Sequence, residues 1–123
     1  MPLRDKVSGT GGLIACRSAA VYNVVNDQFT TTAPSLAEAE RTIKLAGAGL
    51  GWQIKQDKPG HLIGTLPIRT HVAIIDITHD TKQFSIMYKN STNLDYDGTS
   101  IHSNYNGWIQ NLQKAIVART SVY

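Results

Sequence analysis

The sequence has a single cysteine, two phenylalanines and two tryptophans in 123 residues. One cysteine cannot close an internal disulfide, so a stapled scaffold is excluded. No stretch approaches the roughly 18 apolar residues of a membrane-spanning helix. Residues 1–12, MPLRDKVSGTGG, hold Arg4 and Lys6 but not the apolar run of roughly 7–15 residues that forms a secretory signal core. Clustered charge is missing as well. The 12 Lys+Arg and 9 Asp+Glu leave a net charge of +3, and beyond the N-terminal tract the basic residues are scattered singly. That reads as a solvated mixed surface, not a phosphate-binding footprint. No serine sits in a Gly-x-Ser-x-Gly elbow. Metal-ligand spacings such as Glu-x-x-His or paired cysteines do not occur. The glycines of "LAGAGLGW" follow a helical pattern instead of opening one, so they form a cap and turn and not a nucleotide loop.

What is present fits one domain with a single core. Composition is ordinary, 41% hydrophobic and 17% charged. Residues 1–34, with Gly9, Gly11, Gly12 and Pro34, read as a flexible N-terminal tail or tether, within which Val21–Val25 is either an edge strand or extended chain. The ordered domain spans 35–119. Ser35 with Glu38 three residues on is a capping-box pattern, and Leu36, Ala39, Ile43, Ala46 and Leu50 fall at helical spacing, so a helix is predicted over 35–49. Alternating apolar positions predict strands at 51–56, 61–68, 71–80 and 83–90, joined by turns at Lys58-Pro59-Gly60, Arg69-Thr70 and Asp80-Thr81-Lys82. Such short turns make the strands antiparallel neighbours. Tyr105, Trp108, Ile109, Leu112 and Ile116 mark a second helix capped by Ser103 or Asn104. The expected fold is α+β: a two-layer sandwich of helix, four-stranded antiparallel meander and helix. Trp52, Phe84 and Tyr88 are expected under the helices, with Val72, Ile74 and Met87 on the open face.

Three groups of residues are candidates for chemistry. His71, Asp76, His79 and Asp80 are close in sequence, but His71 and Asp76 have opposite parity on a strand, so no metal site is expected. Leu13-Ile14-Ala15-Cys16 has the residue order of a bacterial lipid-attachment site, two apolar residues and a small one before cysteine. Either Cys16 carries lipid and the signal lies upstream or was replaced, or the match is chance and Cys16 is an ordinary thiol. "NLDYDGTSIHSNYNGW", 93–108, gathers Tyr96, His102, Asn104, Tyr105, Asn106 and Trp108 in one loop and helix start. Aromatic surfaces beside amides suit glycan, peptide or protein contacts. The plain alternative is that the asparagines cap the helix and the aromatics pack inward.

"CRSAAVYNV", "YKNSTNLDYDG" and "IHSNYNGWIQNLQKAI" resemble segments of a group of small bacterial lipoproteins with no established activity. The likeness runs from about Cys16 to Ile116. It implies a periplasm-facing envelope domain lipidated at Cys16, and it brings no catalytic residues or cofactor. The leading expectation is therefore a non-enzymatic binding or scaffolding module of the cell envelope, with an envelope protein or glycan as partner. Its membrane association would come only through lipid on Cys16. The alternatives are a soluble, cytoplasmic interaction domain for nucleic acid or protein, and a small enzyme using His102 with Tyr96 or Asp97.

Overall fold

A computed structural model describes residues 17–121. In chain order these form β1 (Ser18–Ala20), β2 (Val24–Gln28), α1 (Leu36–Ala48), β3 (Gln53–Lys58), β4 (His61–Ile68), β5 (His71–His79), β6 (Gln83–Thr92), β7 (Ser100–His102) and α2 (Ser103–Arg119). Strands β3 to β6 pair with their sequence neighbours in antiparallel register, as the short turns require. The sheet nevertheless has five strands, in the order β2-β6-β5-β4-β3, and β1 and β7 form a separate antiparallel pair. The chain is α+β with two antiparallel sheets, not a lone four-stranded meander.

Residues 17–34, read from the sequence as part of a tail, carry two of the three additional strands, β1 and β2. Val24 lies opposite Ile86, and a register shift follows where Asn26 takes a φ of 52°. The Asn26 N–H donates to Ser85 Oγ (2.9 Å), so the bulge keeps a partner for its backbone. Phe29 then stacks on Phe84, with ring centroids 5.6 Å apart, and Phe29 and Ala33 donate their N–H groups to the carbonyls of Lys82 and Thr81.

Helix α1 begins as expected: Ser35 Oγ accepts the Glu38 N–H at 3.1 Å, and Gly49 is the C-cap. Its buried stripe is Ala39, Thr42, Ile43, Ala46 and Gly47, whereas Leu36 and Leu50, expected on that stripe, are exposed. Helix α2 buries Tyr105, Ile109, Leu112 and Ile116. With Leu62, Leu66, Ala73, Ile75, Ile77, Phe84 and Ile86 from one sheet face, these residues make a single core. The other sheet face carries Ile63, Thr65, Val72, Ile74 and Asp76, all half-exposed, and the exposed Met87.

Gly64 lies where Trp52 crosses the sheet. A Cβ there would stand 3.0 Å from Ile75 Cγ1 and 3.4 Å from the Trp52 ring. Both neighbours are buried, so neither can yield freely. Gly64→Ala is expected to destabilise the fold by about 1–3 kcal/mol, seen as a lower urea midpoint at unchanged slope.

Candidate functional site

The candidate surface is built at the end of the sheet where β5 starts and β6 ends. A one-residue shift in β6 precedes it: Tyr88 pairs with Ile75 and Asn90 with Ile74, which leaves Lys89 as the extra residue of a bulge. The loop from 93 to 99 then takes three left-handed backbone conformations, at Asn93 (φ 60°), Asp95 (φ 54°) and Gly98 (φ 106°). Short polar residues and glycine tolerate that region best, because other side chains crowd the backbone there. Leu94, almost fully buried, nails the loop to the core, and its carbonyl accepts the His102 N–H at 2.8 Å.

Asp97 holds the loop's turn. Its Oδ1 accepts the N–H groups of Ser100 (2.7 Å) and Thr99 (3.0 Å) and the Thr99 hydroxyl (3.3 Å). These bonds, the Ser100 amide first, hold its carboxyl below the ordinary value of 3.8. A depressed carboxylate contributes stability above the unfolded-state value and loses it as pH falls through the folded one. On acidification the Thr99 and Ser100 amide NMR signals should therefore titrate with a midpoint below 3.8. A midpoint at or above that value would mean that the turn does not hold the carboxylate.

The loop sets Tyr96 on Tyr88, with ring centroids 4.0 Å apart and planes 27° from parallel. Tyr88 in turn meets Tyr105 edge-on at 5.8 Å. Tyr96 is 41% exposed and Tyr105 is 0% exposed, so the ladder runs from solvent into the core. The Tyr88 hydroxyl pairs with Ser91 Oγ (2.8 Å), and Tyr96 donates to the Gly98 carbonyl (3.2 Å). Among the described residues, the buried Tyr105 hydroxyl has no partner. Burial pushes this hydroxyl well above its ordinary value, with Tyr88 and then Tyr96 adding to the shift, so it stays an O–H group at neutral pH.

Beside the ladder, the His71 ring centroid lies 6.4 Å from His102 and 6.3 Å from Trp108. Each imidazole is partly committed. His71 Nδ1 donates to the Asn93 carbonyl (2.6 Å). His102 Nδ1 accepts the Asn104 N–H (3.2 Å), which makes His102, and not Ser103 or Asn104, the N-cap of α2. An imidazole lone pair serves there as a hydroxyl or carboxylate usually does. Among the described residues, no three His, Cys, Asp or Glu side chains converge as a metal-ligand set.

No protein-family model, curated protein or solved structure matches the chain.

The remaining candidates lie apart in role. Asn104 is exposed, while Asn106 accepts the Tyr22 N–H (2.9 Å) and donates to the Ala20 carbonyl (2.8 Å). Asn106 therefore ties the strand-β1 segment to α2, and Tyr22 adds a bond from its hydroxyl to Gln113 (2.6 Å). Cys16 lies outside the described residues. The next residue is fastened, because the Arg17 carbonyl accepts the Ser103 N–H at 2.7 Å. Sequence reasoning missed His71 and Tyr88 as members of this surface. Register is what brings them in: β5 begins beside the end of β6, so the first residue of one strand meets the loop that leaves the other.

Asn106→Ala is expected to cost about 0.5–1.5 kcal/mol, because it removes the two bonds that tie the Ala20 and Tyr22 backbone to α2. Hydrogen exchange should rise most at Tyr22, and uniform acceleration across the sheet would contradict this assignment.

Proposed function

We propose that the chain is a non-enzymatic binding module of the bacterial cell envelope, a two-layer α+β domain anchored by lipid on Cys16. It takes an envelope protein or glycan on the surface formed by Tyr96, His102 and Trp108. The observation that carries this reading is Tyr96. It is a large aromatic side chain 41% exposed to solvent, yet stacked on Tyr88 and held by a loop with three left-handed residues. A loop fixed in this way loses little freedom when a partner binds, which is how preorganised surfaces gain affinity. Tyr and Trp are also the side chains that most often dominate binding energies.

Two commitments favour binding over catalysis by His102. The Asp97 carboxylate accepts the loop's own N–H groups, and His102 Nδ1 accepts the first turn of α2. A general base needs a free lone pair aimed at its substrate. The position of Cys16 adds a geometric consequence. Strand β1 begins at Ser18. Two residues reach about 7 Å at most, so an anchor on Cys16 would hold the domain against the bilayer, without the long tether expected from the sequence. The partner would then be met at the membrane surface.

The test is expression of the native gene with its genuine upstream sequence, followed by membrane fractionation and intact mass. A lipid-sized mass on Cys16, lost together with membrane association in Cys16→Ser, is the expected result. An unmodified chain in the soluble fraction would overturn the envelope reading. Tyr96→Ala should weaken capture of the cross-linked envelope partner by about tenfold or more, equivalent to about 1.4 kcal/mol.

A further inference from the structure

We propose that the outer edge of β3 is a peptide-docking site: an extended segment of a partner protein, alternating acidic and apolar side chains, adds to the sheet as a further strand. The site uses none of the aromatic residues above, so the two surfaces are tested separately.

The inference starts from the two edges of the five-stranded sheet, β2 and β3. On an edge strand every second residue turns its N–H and C=O away from the sheet. Strand β2 is closed against a partner. Asn26 takes a φ of 52° and donates its N–H to Ser85 Oγ, Gln28 donates to Asp27 Oδ1 (3.0 Å), and Thr30, just beyond, donates to Thr120 Oγ1 (3.0 Å). Strand β3 has no such closure. Its pairing with β4 is unbroken from Gln53 to Gln56, and among the described residues no side chain or turn takes a backbone N–H or C=O of that run. Asp57 then follows as a bulge, with its carboxylate 2.9 Å from His61 Nδ1.

A groove lies beside this edge. A cavity of about 440 Å³ is lined by Leu36, Ala37 and Glu40 of α1, by Gln56 of β3 and by Pro59 of the turn after it. Gln56 pairs with Leu62, a core residue, so it lies on the helix side of the sheet. Lys55 pairs with Ile63 and Lys58 with His61, which puts both lysines on the other face. Both are exposed, and among the described residues neither meets a carboxylate. The nearest acidic groups are already taken, Glu40 by Lys44 (2.9 Å) and Asp57 by His61.

A strand added here points its side chains alternately to those two faces. Apolar ones enter the cavity against Leu36, Ala37 and Pro59. Acidic ones, on the other face, meet Lys55 and Lys58. Strand addition of this kind takes its affinity from main-chain bonds and its specificity from alternate side chains. A second copy of this chain, pairing edge to edge, is a poorer occupant. It offers the same two lysines and only Asp57, which His61 already holds.

The probe is a blocked heptapeptide of alternating valine and glutamate, titrated into the full chain and followed by amide NMR and calorimetry. Saturable binding is expected with a Kd below about 1 mM, with shifts at residues 53–58 and in the first two turns of α1. Hydrogen exchange along 53–56 should slow. Methylating one alternate set of the peptide's amide nitrogens should abolish binding and methylating the other should not, since only one set faces β3. Lys55→Glu with Lys58→Glu should weaken binding about tenfold or more, and Ala37→Glu should do the same from the groove side. All three positions are exposed, so these variants keep the parent's amide spectrum. Tyr96→Ala should bind the peptide as the parent does. No saturation up to about 1 mM overturns the proposal. So does equal binding of a peptide with glutamine in place of glutamate, or tolerance of both methylated sets. A chain that associates with itself through β3 when no peptide is present assigns the edge to a second copy and overturns the proposal as well.

Discussion

The extra residue in β6 governs much of the rest. Without it, pairing beyond Tyr88 would bring Lys89 opposite Ile74 and Asn90 opposite Ala73, turning an amide toward the core. With Lys89 as a bulge, Asn90 pairs with Ile74 and Ser91 with Ala73. A slip of one residue exchanges the faces of every side chain that follows. Here it puts Ser91 on the same side as Tyr88, within reach of the Tyr88 hydroxyl, and the loop beyond sinks Leu94 into the core. Tyr88 thereby becomes a fixed platform, and the loop that carries Tyr96 leaves the sheet at a set point. The bulged lysine itself faces the opposite side, where its ammonium lies 3.8 Å from Asp76.

That opposite face has its own polar chain. His61 Nδ1 lies 2.9 Å from Asp57 and its Nε2 lies 2.7 Å from Asp76, so one imidazole on β4 touches carboxylates on β3 and β5. These groups are partly exposed, and water screens such pairs, so they register the strands more than they hold the fold together. The core does that, through the Ile, Leu and Phe side chains shared by the sheet and both helices. The two faces therefore divide the work. One buries apolar surface. The other keeps Ile63, Ile74 and Met87 half in solvent among charges.

The parts legible in the sequence were those with a repeating signal. HLIGTLPI and HVAIIDITH alternate, and the spacing of Ile109, Leu112 and Ile116 is helical, so β4, β5 and α2 could be placed. The N-terminal segment has no such period. Val24 is the single fully buried residue of β2, and the following bulge at Asn26 breaks the alternation. Phe29 and Ala33 anchor the chain one at a time, through a ring stack and two backbone bonds. Isolated anchors of this kind leave no pattern to read. The cap of α2 was hidden for a different reason, since an imidazole lone pair replaced the usual hydroxyl or amide. Tyr96 and His102 stood out by aromatic density alone, whereas Tyr88 and His71 needed the register of β5 on β6 before they joined them.

Among the described residues, two buried polar atoms have no partner, His79 Nε2 and the Tyr105 hydroxyl. They differ in what surrounds them. His79 lines a cavity of about 210 Å³ together with Asn26, Thr78, Asp80 and Ser85. His79 Nε2 is itself closed off from that space, which the apolar Phe84 also lines. Tyr105, on the buried stripe of α2, is wholly buried with its ring edge-on to Tyr88. Tyr96, beyond Tyr88 in the ladder, is exposed and bonded within its own loop. The turn at Asp97 fixes where the loop stands, and the stack on Tyr88 fixes where the Tyr96 ring stands. That contrast between a buried and an exposed end sets the ladder apart from the other polar positions of the fold.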